Sequence, residues 1–178
     1  DYLRSAFPCT MPSICHVVIN SIAARELAFR TGIGSVLVPN VMDFDSPPSL
    51  PDGYANDMRQ ELGIKKGTTI LLQPTRIVPR KKTERAIALA RRMDAECVLV
   101  VTHEAGDEGI NYQIYLKEFA DLIGVNFLCA ADRFAYRRQT TSDGQKVYSV
   151  ADAYTQADLV TYHSVIEGFG NAFLETIY

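Results

Sequence analysis

A chain of 178 residues with 47% hydrophobic and 22% charged side chains has ordinary globular composition. It is long enough for one domain with a sizeable core, or one domain and part of another. The net charge of −3 gives no bulk attraction to nucleic acid or to an anionic membrane surface, and no apolar run approaches the length of a membrane span. The four cysteines (Cys9, Cys15, Cys97, Cys129) show no C-x-x-C pairing, and His16, His103 and His163 show no metal-ligand spacing. The thiols are therefore read as reduced and buried, the protein as cytoplasmic, and no metal site is expected. The chain starts at Asp1 without an initiator methionine or signal peptide, and it stops at Tyr178 inside an apolar helical pattern. Both ends read as cut from a longer protein.

In chain order, residues 1–13 read as loop. His16 to Asn20 is a short apolar run expected to be a buried strand. Ser21 is placed to cap a helix from Ile22 to about Arg30, ended by Gly32 and Gly34. Val36 to Val38 is a second strand, stopped by Pro39. Residues 40–52, with Pro47, Pro48 and Pro51, read either as an interdomain linker or as a surface loop. The division expected is residues 1–40 as the end of an N-terminal domain, 41–53 as linker, and 54–178 as a second domain truncated at its C-terminus.

A short helix over 54–62 closes at Gly63. Thr69 to Gln73 is a buried strand. Thr83 opens a helix to about Met93, with Ala86, Ile87, Ala90 and Met93 inward and Arg85, Arg91 and Arg92 outward. Cys97 to Val101 is another continuous apolar strand. Glu108 to Ile123 reads as a helix with Tyr112, Tyr115, Leu116, Phe119 and Ile123 inward. Val125 to Leu128 is a strand. Residues 132–147 form a polar excursion whose Ser142-Asp143-Gly144 signals a turn. Val150 to Ala157 is helical and Leu159 to Tyr162 is the last strand. Strands alternate with helices, and the strands are apolar throughout rather than every second residue. That pattern predicts an α/β fold, a Rossmann-like parallel sheet with helices on both faces. Sites in such sheets lie beyond the carboxyl ends of the strands. The loops to watch are Pro74–Lys82, Thr102–Gly109 and His163–Gly170.

The first of these loops carries Arg76, Arg80, Lys81 and Lys82. A guanidinium can fork onto two phosphate oxygens and an ammonium adds a point charge, so Arg76 and Lys81 are candidates for gripping a diphosphate. A solvated charge run is the alternative. The third loop leads into Glu167-Gly168-Phe169-Gly170-Asn171, then an apolar run holding Glu175. The two glycines permit a tight turn and close approach of backbone to a ligand. Asn171 is a candidate N-cap for a helix whose first amides would favour an anion. Two carboxylates flanking such a turn suit a ligand with both hydroxyls and phosphates. His103 and His163, at strand ends, are read as loop or pocket-lining residues, and Glu104 and Asp107 as weaker candidates to approach a ligand from the middle loop.

These segments resemble the retaining glycosyltransferases of family 4, which have the GT-B fold. Arg76-Ile77-Val78-Pro79-Arg80-Lys81 is similar to that family's Arg-x4-Lys clamp. Glu167 to Glu175 matches its pair of glutamates with seven residues between. Asp152 to Asp158 resembles the lead-in to that motif, and Val38-Pro39-Asn40 with Asp43 resembles the handover between the two domains. The resemblance covers about residues 14–178. It implies that 54–178 is the donor-binding half, metal-independent and without a cofactor, the nucleotide-diphosphate sugar being substrate. It implies that Arg76 and Lys81 hold the diphosphate and stabilise the leaving group, and that Glu167 contacts the donor sugar. Phe169 and Gly170 would offer backbone amides, with Gly168 and Asn171 shaping the turn. Glu175 would accept from the ribose hydroxyls, and the base would lie near Phe127 and Leu128. The sequence departs from the family at Thr75 and Lys82, where glycines are usual around the clamp, and at Val41. The acceptor and the oligomeric state are unspecified. This piece alone is expected to bind donor weakly and not to turn it over. A non-catalytic phosphate-binding module, or a sugar-nucleotide epimerase of the same architecture, are the alternatives.

Overall fold

A computed structural model describes residues 11–45, 51–106 and 110–178. The expected linker prolines Pro47 and Pro48, the N-terminal Cys9, and Asp107 with the first turn of the helix expected from Glu108 lie outside the described residues. The backbone forms two compact units. The smaller runs up to Asp45 and takes in Glu167–Asn171, and the larger holds the chain on to Ile166 and Ala172–Tyr178.

In the smaller unit, strand β1 (Val17–Val18) pairs in parallel with β2 (Val36–Leu37) through helix α1 (Ser21–Thr31). The cap of α1 is Asn20, not Ser21: its Oδ1 accepts from Ala23 N at 2.7 Å. Ser21 falls one residue too late and becomes the first helical residue. Gly32 ends the helix in the left-handed region at φ 72°, as the glycine signal predicts. The expected buried strand at 16–20 shrinks to two residues, and Val17 is 57% exposed. A two-residue ladder with one helix does not cover both faces, so apolar composition here does not produce burial.

The larger unit contains the core. It runs through a 3₁₀ turn at Tyr54–Asp57 into α2 (Met58–Glu61), then β3 (Thr69–Gln73), α3 (Thr83–Arg91), β4 (Cys97–Val101), α4 (Ile110–Ile123) and β5 (Asn126–Cys129). Next come three short strands, β6 (Phe134–Ala135), β7 (Gln139–Thr140) and β8 (Lys146–Ser149), then α5 (Val150–Gln156), β9 (Leu159–Val160) and α6 (Asn171–Ile177). The main sheet has the order β5-β4-β3-β9 and every pair is parallel. Strand alternation sorts its side chains onto two faces. Ile70, Leu72, Val98 and Val100 pack with Met58, Ala130, Phe134, Tyr148 and Ala153 on one face. Leu71, Leu99 and Val101 pack with Ala86, Ile87, Ala90, Leu116 and Ala120 on the other. Both faces are covered, which is why β3 and β4 read as unbroken apolar runs. Tyr115 is a correction. It is half exposed and stacks between Tyr112 and Phe119 along the outside of α4 instead of pointing inward. Cys97 and Cys129 are free but only partly buried. Among the described residues no helix is long and apolar enough to cross a membrane.

The polar excursion after β5 is a closed structural module. β7 and β8 form a hairpin around the expected turn at Ser142-Asp143-Gly144, with Gly144 at φ 85°. Its charges are matched by charges. Arg133, only 7% exposed, donates to Glu61 O at 3.1 Å, Glu61 Oε2 at 3.0 Å and Lys146 O at 3.2 Å. Arg138 bridges the carboxylates of Asp152 and Asp52 and lies over the Tyr54 ring at 4.4 Å. Lys146 pairs with Asp57, which also accepts from the Tyr148 hydroxyl at 3.0 Å.

Candidate functional site

The cationic loop after β3 is built around one buried amide. Gln73, 1% exposed, sends Nε2 toward Thr83 Oγ1 at 3.0 Å and toward Thr75 Oγ1 and Lys81 O at 3.4 Å. Ile77 and Val78 are fully buried and pin the loop to the core, so Arg76 leaves from a fixed base. A 3₁₀ turn at Pro79–Lys81 follows, and Lys82 then takes φ 53°, ψ 47°. That left-handed geometry is where glycine sits without cost, so the departure at Lys82 changes the residue without changing the backbone shape. The other departure, Thr75, is buried beside Gln73.

Lys82 pairs with Glu84 at 3.7 Å, and neighbouring segments meet the other cations of this loop. A Cβ placed on Gly106, itself at φ 61°, would stand 2.5 Å from Arg76 Nη2, so the guanidinium lies against bare backbone there. Lys81 Nζ lies over the Tyr162 ring at 5.9 Å. Val165 N donates to Arg80 O at 3.1 Å, joining the loop after β9 to the cationic loop. Glu175, on α6, accepts from the Tyr154 hydroxyl of α5 at 3.1 Å. Burial, then the charge of Glu175 and the hydrogen bond to it, hold the Tyr154 phenol protonated well above its usual range. His103, at the end of β4, feels all three charges. Burial lowers its pKa, Glu175 raises it, and Arg76 and Lys81 lower it further, leaving it below 6.5. Arg76 and Lys81, on the loop after β3, and His103, just past β4, stand at the carboxyl ends of neighbouring parallel strands.

Phe127 and Leu128 point to opposite faces of β5. Leu128 packs with the Ile70 face and Phe127 with the Leu71 face. Phe127 also lines a groove of about 510 Å³ with Ile110, Gln113, Ile114, Lys117 and Cys129. Only backbone, or one of these two side chains, can face a given ligand there.

The glycine-bearing turn belongs to the smaller unit. Gly168 O accepts from Asn20 Nδ2 at 2.5 Å, and a Cβ on Gly168 would meet Ile19 Cδ1 at 2.7 Å. Gly170 sits at φ 90°, which favours glycine. Asn171 is the first residue of α6, and its Oδ1 accepts from Asn40 Nδ2 at 3.0 Å. Glu167 and the half-buried Phe169 flank Gly168 in this turn. Helix α6 has seven residues, too short a dipole for its N-terminus to serve as an anion site by itself.

The lead-in segment divides differently from its sequence reading. Asp152, 2% exposed, forms a capping box with Ser149 and pairs with Arg138. Asp158 accepts from Ile70 N at 2.7 Å and Arg59 Nη2 at 2.8 Å, fastening the start of β3. Both aspartates are structural. Tyr154, between them, is the residue of that stretch that reaches Glu175, and sequence reasoning missed it along with Gln73 and Gly106. A tyrosine one helical turn before Asp158 and a glycine just past a strand were visible, but neither spacing says what the side chain touches.

No known family profile matches the sequence. Over 99% of its length the chain is 38% identical to mannosylglucosylglycerate synthase of Thermotoga maritima, of which it covers 43%. It is 32% identical over its whole length to the enzyme of the same name from Petrotoga mobilis, of which it covers 45%. This chain is homologous to glycosyltransferases. It spans under half the length of these relatives. In fold it is similar to Anabaena HepE, solved with UDP and glucose, at a TM-score of 0.65 and 18% identity over 92% of this chain and 41% of that one. The α/β architecture is thus the GT-B type expected from the sequence.

Proposed function

We propose that the chain is the donor-binding part of a retaining, metal-independent glycosyltransferase that moves a sugar from a nucleotide-diphosphate sugar to an acceptor. The observation that carries this reading is the cationic loop at the carboxyl end of β3, fixed by buried Ile77 and Val78, with Arg76 lying against Gly106 of the loop after β4. A guanidinium and an ammonium suit a diphosphate, and they stabilise it most as charge develops on the leaving group. Glu175, steadied by Tyr154, accepts from the ribose hydroxyls. Glu167 contacts the donor sugar, and the backbone of Phe169 and Gly170 serves sugar or phosphate. The base takes backbone contacts near Phe127 and Leu128. The name of the curated relatives makes a mannosyl donor and a glucosylglycerate acceptor the first pair to try.

The test is a titration of nucleoside diphosphates and of inorganic pyrophosphate against wild type and Glu175→Ala. The variant is expected to lose about tenfold or more in affinity for the nucleotide and little for pyrophosphate. Equal losses, or none, would point instead to a generic phosphate-binding module. Conversion of donor without any acceptor would point to an epimerase.

A further inference from the structure

His103 is fixed more firmly than a lining residue needs to be. Thr102, 2% exposed at the end of β4, places its hydroxyl 2.8 Å from His103 Nδ1. The loop that carries the ring is tied to the cationic loop by Ile77 N donating to Glu104 O at 3.4 Å, and by Arg76 lying against Gly106. With Nδ1 engaged, Nε2 is the nitrogen left to face a ligand. The charged groups around it are Arg76 and Lys81 from the loop after β3, Glu175 from α6, and Glu104 on its own loop. The ring is therefore carried by the loop that packs against Arg76, one of the groups assigned to the diphosphate.

We propose that His103 is a donor-contacting residue, its Nε2 hydrogen-bonding a diphosphate oxygen of the nucleotide sugar. This rests on the donor-binding reading above and adds a residue and a proton to it. In the free protein the ring is neutral near neutral pH, because burial and the two cations outweigh Glu175. The Thr102 hydroxyl can donate or accept, so it stays paired with Nδ1 whether the ring is neutral or protonated and leaves Nε2 for the ligand. A bound diphosphate places negative charge against the ring and raises its pKa. The ligand thus prefers the protonated ring, so binding takes up a proton. Affinity rises as pH falls through the pKa of the bound state and levels off below that of the free state.

The probes are UDP-glucose and GDP-mannose, whose diphosphate diesters do not titrate near neutrality. Their binding to the full chain is followed by calorimetry from about pH 8.5 down to about pH 5.5, across the histidine range. Wild-type affinity for the probe that binds is expected to rise about tenfold over that span. His103→Ala should lose about tenfold at the alkaline end and become independent of pH. His103→Gln, whose amide still donates, should recover most of the alkaline affinity yet stay flat. Retention of wild-type affinity and slope by both variants would overturn the assignment while leaving the donor reading intact. Failure of wild type to bind either probe would overturn the donor reading, and this inference with it.

Discussion

The two charged regions of the larger unit differ in the neighbours given to their key charges. In the module around β8, charge meets charge: Arg138 with Asp152 and Asp52, Arg133 with Glu61, Lys146 with Asp57. At the carboxyl ends of β3 and β4, Arg76 lies against the backbone of Gly106, Lys81 over the Tyr162 ring and Glu175 against the Tyr154 hydroxyl, while Lys82 pairs with Glu84. A charge neutralised by its neighbour contributes to the fold. A charge oriented by a neutral neighbour keeps its field for something that arrives from outside. Residue counts do not separate the two regions, since both are rich in arginine, lysine and acids.

Acid should break the first region before the second. Hydrogen bonds from Arg138 bring Asp52 from 3.8 to about 2. The hydrogen bond from Lys146 lowers Asp57, and the backbone amide of Ile70, then Arg59, lower Asp158. Burial alone would raise Asp152, but bonds from Arg138 and Ser149 bring it below the usual range. Depressed carboxylates contribute stability above their unfolded pKa, and that contribution is lost as pH falls toward the folded values. Thermal melts should therefore drop steeply between about pH 4 and pH 2, by more than any substitution below. A melt unchanged to pH 2 would show that this network carries no stability.

Arg133→Ala is the largest single change expected. It strands two backbone carbonyls and the Glu61 carboxylate around a buried hole, at a cost of about 3 kcal/mol in denaturant unfolding. Gly106→Ala acts on the other region. The added methyl must displace the Arg76 guanidinium and strain a positive φ, so nucleoside-diphosphate affinity should fall about tenfold, with a stability loss of about 1 kcal/mol. A loss of stability without loss of affinity would erase the distinction between the regions. Lys82→Gly is the smallest. Relief of the left-handed strain exceeds the added chain entropy, so stability should rise by about 0.5 kcal/mol with donor affinity unchanged.

Most of the sheet was legible because β3 and β4 are buried on both faces and each residue there must be apolar, leaving an unmistakable run. The strand at 16–20 carried the same signal without the covering layers, and so it misled. In the candidate site, spacing alone singled out Arg76, Lys81, Glu167 and Glu175 as the residues to propose. The site was not legible where a contact joins distant segments. Gln73 under the cationic loop and Tyr154 beside Glu175 are ordinary residues whose partners are set by the fold. Asp152 and Asp158 show the converse, since a motif neighbouring a site was taken into capping and strand anchoring.

The place of β3 in the sheet has a consequence for synthesis. It lies between β4 and β9, and β9 follows it in the chain only after β4, β5 and the module around β8. On a ribosome, β3 would wait with one open side until β9 emerges, presenting unpaired amides and a Leu-rich face to other nascent chains. The Val165–Arg80 hydrogen bond arrives with the same segment. A stalled product ending before Leu159 should thus be both aggregation-prone and unable to shape its cationic loop.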